Sequence, residues 1–586
     1  MAAAGRNFPD LIAAREALRQ MLAQPLGPFR LGPSVHPRAP TPHAIDLALA
    51  LILLSGLVFA FVGLAASSYF VDELFTLYLI DHHGGPEEVV RRALTDTGPP
   101  GYYLLLYGWS KLAGLSEAAM RLPSAVCAVA AILVFGLGLE GAFSTRARLF
   151  AATVAVIERF WFVQSQSARG YALGLLISAG LLVLAVRLRR GVQDGKPVWP
   201  YWAGLTMLGV AGCMVHFYLA LQAGLMIAYM ILTTGGVRLK AALGASGVLF
   251  VLVTAGYGVL LLDHTQQDVH HMWFGTDPAF LVTEAARAVR GVVGPAIAAA
   301  LAILAWMGVR RLAKARGSGE GSDATSLSWP AGLAGFVLVG VPILGLGVTM
   351  TLAPSFSERN LLIGAPMFWL LCATLFDLAR PDLSALGGRL ALAVIALSLG
   401  AAQVVDVEGR FLPTEQEWRA SARYVDGQAA CDGRTIPTLA LQTFGPHTPY
   451  YMSLEQSQFY GRYAQAPGRL AIHMPSDFGG RDRDSREDRP SLAEPAPPTA
   501  SELARARPDL TALMRARLTG QDACPVLAWA AHVVEPSDIQ NLRQAIAADA
   551  GVPLGQVTVR PFTHFHLAIP GWRRTAEAYV LEARRP

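Results

Sequence analysis

Residues 44–75 read AIDLALALILLSGLVFAFVGLAASSYFVDELF, and the fold turns on this stretch. An apolar run of about 20 residues can cross a bilayer core of roughly 30 Å as a helix. Here the run ends in Ser67-Ser68, two aromatic residues and the adjacent carboxylates Asp72 and Glu73. A charge at the edge of apolar surroundings is costly and is usually kept for a function. The plainer reading is that one of the pair caps a helix or meets an arginine.

Further runs of this kind lie near 122–143, 148–164, 171–187, 198–216, 217–234, 242–262, 289–309, 331–353, 360–379 and 388–405. With 44–66 they predict about eleven membrane-spanning helices over 44–405. The stretch 198–234 is about twice the length a span needs and divides at His216-Phe217-Tyr218. The 148–164 run is short and carries Glu158 and Arg159, which read most simply as a neighbouring ion pair. Composition agrees with a membrane chain. Of 586 residues, 53% are hydrophobic and only 16% charged, and the mean hydropathy is +0.39. A soluble domain carries about 25% charged residues. The net charge of +5 is modest, its meaning lies in where the basic residues fall, and nothing in it suggests a nucleic-acid partner.

Orientation follows from the connections. Arg146 and Arg148, then Arg187, Arg189, Arg190 and Lys196, then Arg238 and Lys240, then Arg310, Arg311, Lys314 and Arg316, and finally Arg380 and Arg389 fall in alternate loops. The positive-inside rule puts these loops in the cytoplasm together with the N-terminal segment 1–43. That segment holds five arginines, several prolines and no apolar core, so the first run reads as a retained helix. Its residues Phe8 to Met21 suit either a short amphipathic helix or a disordered tail. The loop 67–121, the Glu158–Gly170 turn, the His216 turn, 263–288, 354–359 and everything after 405 then face outward. The apolar stretch 99–115 opens with Pro99-Pro100 and is too short for a span. Counting it would reverse every later loop, so it reads as an interfacial or re-entrant helix with its tyrosines and Trp109 at headgroup depth.

Residues 406–586 have the periodicity of a small soluble α/β domain. Glu415 to Val425 predicts a helix, and 435–441 and 525–529 predict buried strands. A Gly-, Pro-, Arg-, Asp- and Ser-rich run over 476–502 predicts a flexible loop. Cys431 and Cys524 each precede a predicted strand on the oxidising side, which predicts a disulfide. Cys127, Cys213 and Cys372 fall within spans and read as free thiols.

The loop after Asp72-Glu73 continues through Thr95-Asp96-Thr97-Gly98-Pro99-Pro100-Gly101-Tyr102-Tyr103-Leu104 to Gly114-Leu115-Ser116-Glu117 and Arg121-Leu122-Pro123-Ser124. This pattern resembles the GT-C glycosyltransferases that use polyprenyl-phosphate sugars, in particular the protein O-mannosyltransferase and lipid A aminoarabinose transferase group. The resemblance is good over 68–135. It continues more loosely at 164–173, at His216-Phe217-Tyr218 and at Glu358-Arg359-Asn360-Leu361-Leu362. Gly98 stands where the family often has His, and Gly101 where it often has Leu. The resemblance implies a GT-C-like transmembrane domain with a catalytic first outward loop. The Ala-, Gly- and Arg-rich composition suits a GC-rich bacterium, which places the chain in an inner membrane with that loop in the periplasm. The resemblance also implies an inverting transfer of a sugar from a polyprenyl-phosphate donor to lipid A or lipopolysaccharide, an envelope polysaccharide or a protein.

The residue types suit that chemistry. A lipid-phosphate sugar carries its own leaving group, so the enzyme needs a base for the acceptor hydroxyl and cations for the departing phosphate. Asp72 is the candidate base. Glu73 or Asp96 would hold sugar or acceptor hydroxyls, or a divalent metal. Arg169 and Arg359, at the outer ends of different spans, would grip phosphate bidentately, although either side chain could simply snorkel to the interface. Tyr102, Tyr103 and His216 complete the expected substrate surface. His264, His270 and His271 with Asp263 and Asp268 suggest a metal cluster, or a solvated loop. A transporter or flippase would explain the span count equally well, but no Gly/Pro-broken helices recur in matching halves.

Overall fold

The computed structural model describes residues 44–95, 98–268, 275–318, 327–405, 417–439, 455–473, 500–531, 536–563 and 576–584. The expectations for 1–43, Asp96, His270 and His271, and all but 500–502 of the 476–502 loop lie outside these residues.

Among the described residues seven helices are long and apolar enough to cross a membrane. They are Glu117–Gly138, Tyr171–Gln193, Val237–Val259, Pro295–Leu312, Ser328–Thr351, Glu358–Ala379 and Leu386–Val404. Ala44–Phe59 and Phe217–Thr233 are shorter apolar helices. The expected count of about eleven is thus reached only if shorter and broken segments also cross. Polar caps set where helices begin. Ser116, Ser144 and Ser357 accept from the N–H three residues on, and Asp277 does the same just before Pro278. The helices approach closely at small residues: a Cβ on Gly56 would lie 2.5 Å from Val156 Cβ, and one on Gly138 2.6 Å from Val183 Cγ1.

Two expected spans are broken. The 148–164 run forms Thr145–Ile157 and Arg159–Ser165, separated at Glu158, whose extended ψ of 129° stops the first helix. Glu158 turns inward to accept a hydrogen bond from Trp369 Nε1 at 2.9 Å, while Arg159 is exposed, which replaces the expected ion pair. The 289–309 run is divided at Val293-Gly294 between Pro278–Val292 and Pro295–Ser318. The 198–234 stretch does divide at His216, into Trp199–Val215 and Phe217–Thr233.

The segment between Ala44–Phe59 and Glu117–Gly138 is itself helical: Val71–Ile80, Gly85–Thr95 and Gly101–Ala113. Gly101 is there for steric reasons. A Cβ at that position would stand 2.5 Å from the Met214 carbonyl oxygen, so only glycine lets this helix reach the end of Trp199–Val215.

The C-terminal domain is a five-stranded mixed sheet, β1 (Ile436–Leu439), β2 (Leu470–His473), β3 (Val526–Ala530), β4 (Val557–Thr563) and β5 (Ala576–Ala583), in the order β2-β1-β3-β5-β4. β1 runs parallel to β2 and β3, and β5 antiparallel to β3 and β4. Every residue of the central β3 is buried, because helices Ala500–Leu518 and Pro536–Ala550 cover one face and Trp418 and Tyr460 the other. Cys431 and Cys524 lie just ahead of neighbouring parallel strands, at the same end of the sheet, and form a disulfide. This domain does not sit apart. Trp418, Phe459 and Tyr460 share one hydrophobic core with Tyr69, Leu74, Leu77, Tyr102 and Leu106 of the loop.

Candidate active site at the start of the first loop

Asp72 and Glu73 open the Val71–Ile80 helix and point different ways. The Glu73 side chain is 2% exposed and enclosed by donors. Its Oε1 accepts from Arg121 Nε at 2.9 Å and from the Ala168 N–H at 2.7 Å. Its Oε2 accepts from Arg121 Nη2 at 2.6 Å and from the Phe70 N–H at 2.9 Å, closing the helix N-terminus. Arg121 spends its remaining donors on the carbonyls of Leu64, Ser67 and Ser68. No face of Glu73 is left for a substrate or a metal ion. Glu73, expected to work beside Asp72, is thus enclosed by Arg121 and two main-chain N–H donors.

Asp72 stays a quarter exposed and forms an ion pair with Arg359, 287 residues along the chain. Arg169 Nη1 donates to the Asp72 main-chain oxygen at 3.1 Å and to Thr76 Oγ1 at 3.3 Å. Both guanidinium groups expected to hold phosphate therefore converge on the residue expected to be the base. The Arg359 guanidinium also lies over the Phe70 ring, 5.4 Å from its centroid.

Helix architecture places the arginines. Arg169 precedes Tyr171–Gln193, in a tight turn after Arg159–Ser165. Arg359 sits in the single turn Glu358–Leu361, capped by Ser357. That turn is held from outside by Glu284, a buried residue of Pro278–Val292, whose Oε2 accepts the Glu358 N–H at 2.8 Å and whose Oε1 pairs with Arg287 at 2.5 Å. Next to Arg359, Asn360 Nδ2 donates to the Ser355 carbonyl at 2.7 Å, and its side chain lies beside the His216 ring. His216 Nδ1 accepts from the Tyr218 N–H at 3.2 Å, so the ring caps its own helix. It stands 5.6 Å from the Tyr171 ring centroid.

Tyr102 and Tyr103 are buried, with edge-to-face rings 5.8 Å apart, instead of lining an open surface. Tyr102 lies beside Ser124 and Arg169 and packs on Gly170, where a Cβ would be 3.3 Å from its ring. Among the described residues no three His, Cys, Asp or Glu side chains are grouped as metal ligands would be. Arg121, Glu284 and Asn360 were not singled out as site residues. Arg121 stood within the quoted Arg-Leu-Pro-Ser motif, and Asn360 beside Arg359. Glu284 left only the faint mark of a carboxylate on a helix with a strongly apolar side.

No family model matches the chain, and no curated protein matches it. Among solved structures, the chain is similar to ArnT from Cupriavidus metallidurans in the apo state, with 14% identity and a TM-score of 0.48 over 91% of this chain and 97% of that one. It is similar also to the same protein bound to undecaprenyl phosphate, with 13% identity and a TM-score of 0.45 over the same shares of the two chains.

Proposed function

We propose that this chain is an inverting glycosyltransferase that moves a sugar from a polyprenyl-phosphate donor to an acceptor outside the bacterial cytoplasmic membrane. The observation that carries the reading is the meeting of Asp72, Arg169 and Arg359 at one point, at the edge of the membrane-spanning helices. A carboxylate with solvent access beside two guanidinium groups is the minimum apparatus for displacing a phosphate from an anomeric carbon. The acceptor oxygen bonds to the anomeric carbon as the bond from that carbon to the phosphate oxygen breaks. The acceptor proton passes to Asp72, and the bonding pair leaves with the phosphate. Arg359 can exchange its carboxylate partner for phosphate oxygens, which frees Asp72 when the donor is bound. Attack from the face opposite the leaving group inverts the configuration. The loop and the C-terminal domain then face the periplasm, on the side of the acceptor.

The test is mass spectrometry of envelope glycolipids and glycans from a deletion strain. One glycoconjugate should lose the mass of a sugar, and the wild-type gene should restore it while Asp72→Asn does not. The purified protein should also bind undecaprenyl phosphate. An unchanged glycoconjugate profile in the deletion strain would overturn the reading.

A further inference from the structure

The segment 65–70 links the first apolar helix to the helix that carries Asp72, and it has irregular backbone whose polar groups need partners. Arg121 satisfies part of it from within the bundle. The remainder is satisfied by the C-terminal domain. Arg419 donates its N–H to Ser68 Oγ at 2.9 Å, and its guanidinium donates to the Ala65 and Ser67 carbonyls at 3.1 and 3.2 Å. Its Nη2 also pairs with Glu117 Oε1 at 2.6 Å. Glu117 Oε1 accepts the Tyr463 hydroxyl proton at 3.0 Å, and that same hydroxyl accepts the Tyr69 N–H at 2.8 Å. Arg419, Glu117, Tyr463 and Tyr69 thus close a ring around the chain three residues before Asp72. Burial pushes the Tyr69 and Tyr463 hydroxyls above the ordinary tyrosine range, so both stay protonated. Phe75 against Phe459 and Arg462 with Asp81 extend the contact along the same helix.

We infer that the C-terminal domain aims the catalytic carboxylate: Arg419 and Tyr463 are positioning residues that fix the 65–70 segment and, through it, Asp72. This rests on the reading of Asp72 given above. Neither residue need touch a substrate. A displacement of about 1 Å at a reacting group can cost on the order of 100-fold in rate, so a clamp this close to Asp72 acts on turnover and leaves the phosphate-holding arginines in place.

The experiment compares Arg419→Ala, Tyr463→Phe and Arg419→Lys in full-length protein. Turnover is read as modified glycoconjugate in the complemented deletion strain at matched protein levels. Undecaprenyl phosphate affinity and amide hydrogen exchange are read on purified protein. Arg419→Ala and Tyr463→Phe should lower turnover by about tenfold or more, keep undecaprenyl phosphate affinity, and speed exchange at 65–70. Arg419→Lys, which keeps a cation for Glu117, should recover part of the turnover. Unchanged turnover, unchanged exchange at 65–70, or a loss of turnover that tracks equal losses of undecaprenyl phosphate affinity and thermal stability would each overturn the inference. A wild-type protein that transfers no sugar would instead overturn the functional reading, while exchange at 65–70 would still decide whether the clamp orders the segment.

Discussion

Asp72 and Glu73 are adjacent in sequence yet meet opposite surroundings, because successive helix positions point roughly 100° apart. One turns to the solvent side and meets Arg359, and the other turns inward to Arg121. Their variants should differ accordingly. Asp72→Asn should fold, bind undecaprenyl phosphate normally and lose about 10²–10⁴-fold in transfer, the usual worth of a general base. Arg169→Ala should weaken undecaprenyl phosphate binding as well as turnover, because the phosphate charge is present before and during the reaction. Near-normal transfer by a folded Asp72→Asn protein would remove it as the base. Glu73→Gln should act through stability instead. Breaking one half of a buried ion pair costs about 3–5 kcal/mol, so a lowered melting temperature in detergent should precede any kinetic effect. A Glu73→Gln protein of wild-type stability that is inactive would return Glu73 to the catalytic set.

At the scale of the element, hydrophobic runs located most helices, since the length of an apolar stretch is set by bilayer thickness. They could not locate the breaks. The kink at Glu158 depends on Trp369, more than two hundred residues away, offering a hydrogen bond inside the bundle. The division at Gly294 likewise lies within a run whose composition stays apolar. The helix Gly101–Ala113 shows the same limit from the other side. Gly101 looked like a departure from the GT-C pattern, and its reason is the Met214 carbonyl 2.5 Å from where a Cβ would stand. Gly101→Leu should therefore push the helix off its neighbour and destabilise the protein by about 1–3 kcal/mol, the usual cost of overpacking. A thermal melt of the purified variant checks this, and an unchanged transition would show that the loop shifts at no cost.

At the scale of the whole molecule, the transmembrane bundle and the sheet domain meet in a core built from both. That arrangement requires the loop and the domain to lie on one side of the membrane. Cysteine labelling in intact cells should modify a probe introduced at position 480 and spare one at 320, and the reverse pattern would move the proposed active site to the cytoplasm. The disulfide Cys431–Cys524 spans 93 residues of sequence. Closing a loop of that size removes about 4–5 kcal/mol of unfolded-state entropy in the chain-entropy model. Cys431→Ser should accordingly lower the unfolding transition of the domain, and non-reducing peptide mapping of wild-type protein should recover a single linked pair. Two freely alkylated thiols would contradict the bond.

Local physics in the sequence by itself determined that this is a polytopic membrane chain with a soluble α/β tail. Apolar runs must match a bilayer, basic loops must alternate, and the periodicity changes where the lipid ends. The candidate residues of the proposed site were legible as types in a pattern: Asp72, Arg169 and Arg359 stand at ends of apolar runs, where charge is costly. Only the tertiary structure decided how they are shared out. Glu73 is enclosed because Arg121 and Ala168 reach it, the turn that carries Arg359 is held by Glu284 from another helix, and the segment before Asp72 is held by Arg419 from the far end of the chain. Each of these contacts joins residues tens to hundreds of positions apart, and such pairings are set by packing, which leaves no periodic mark along the chain.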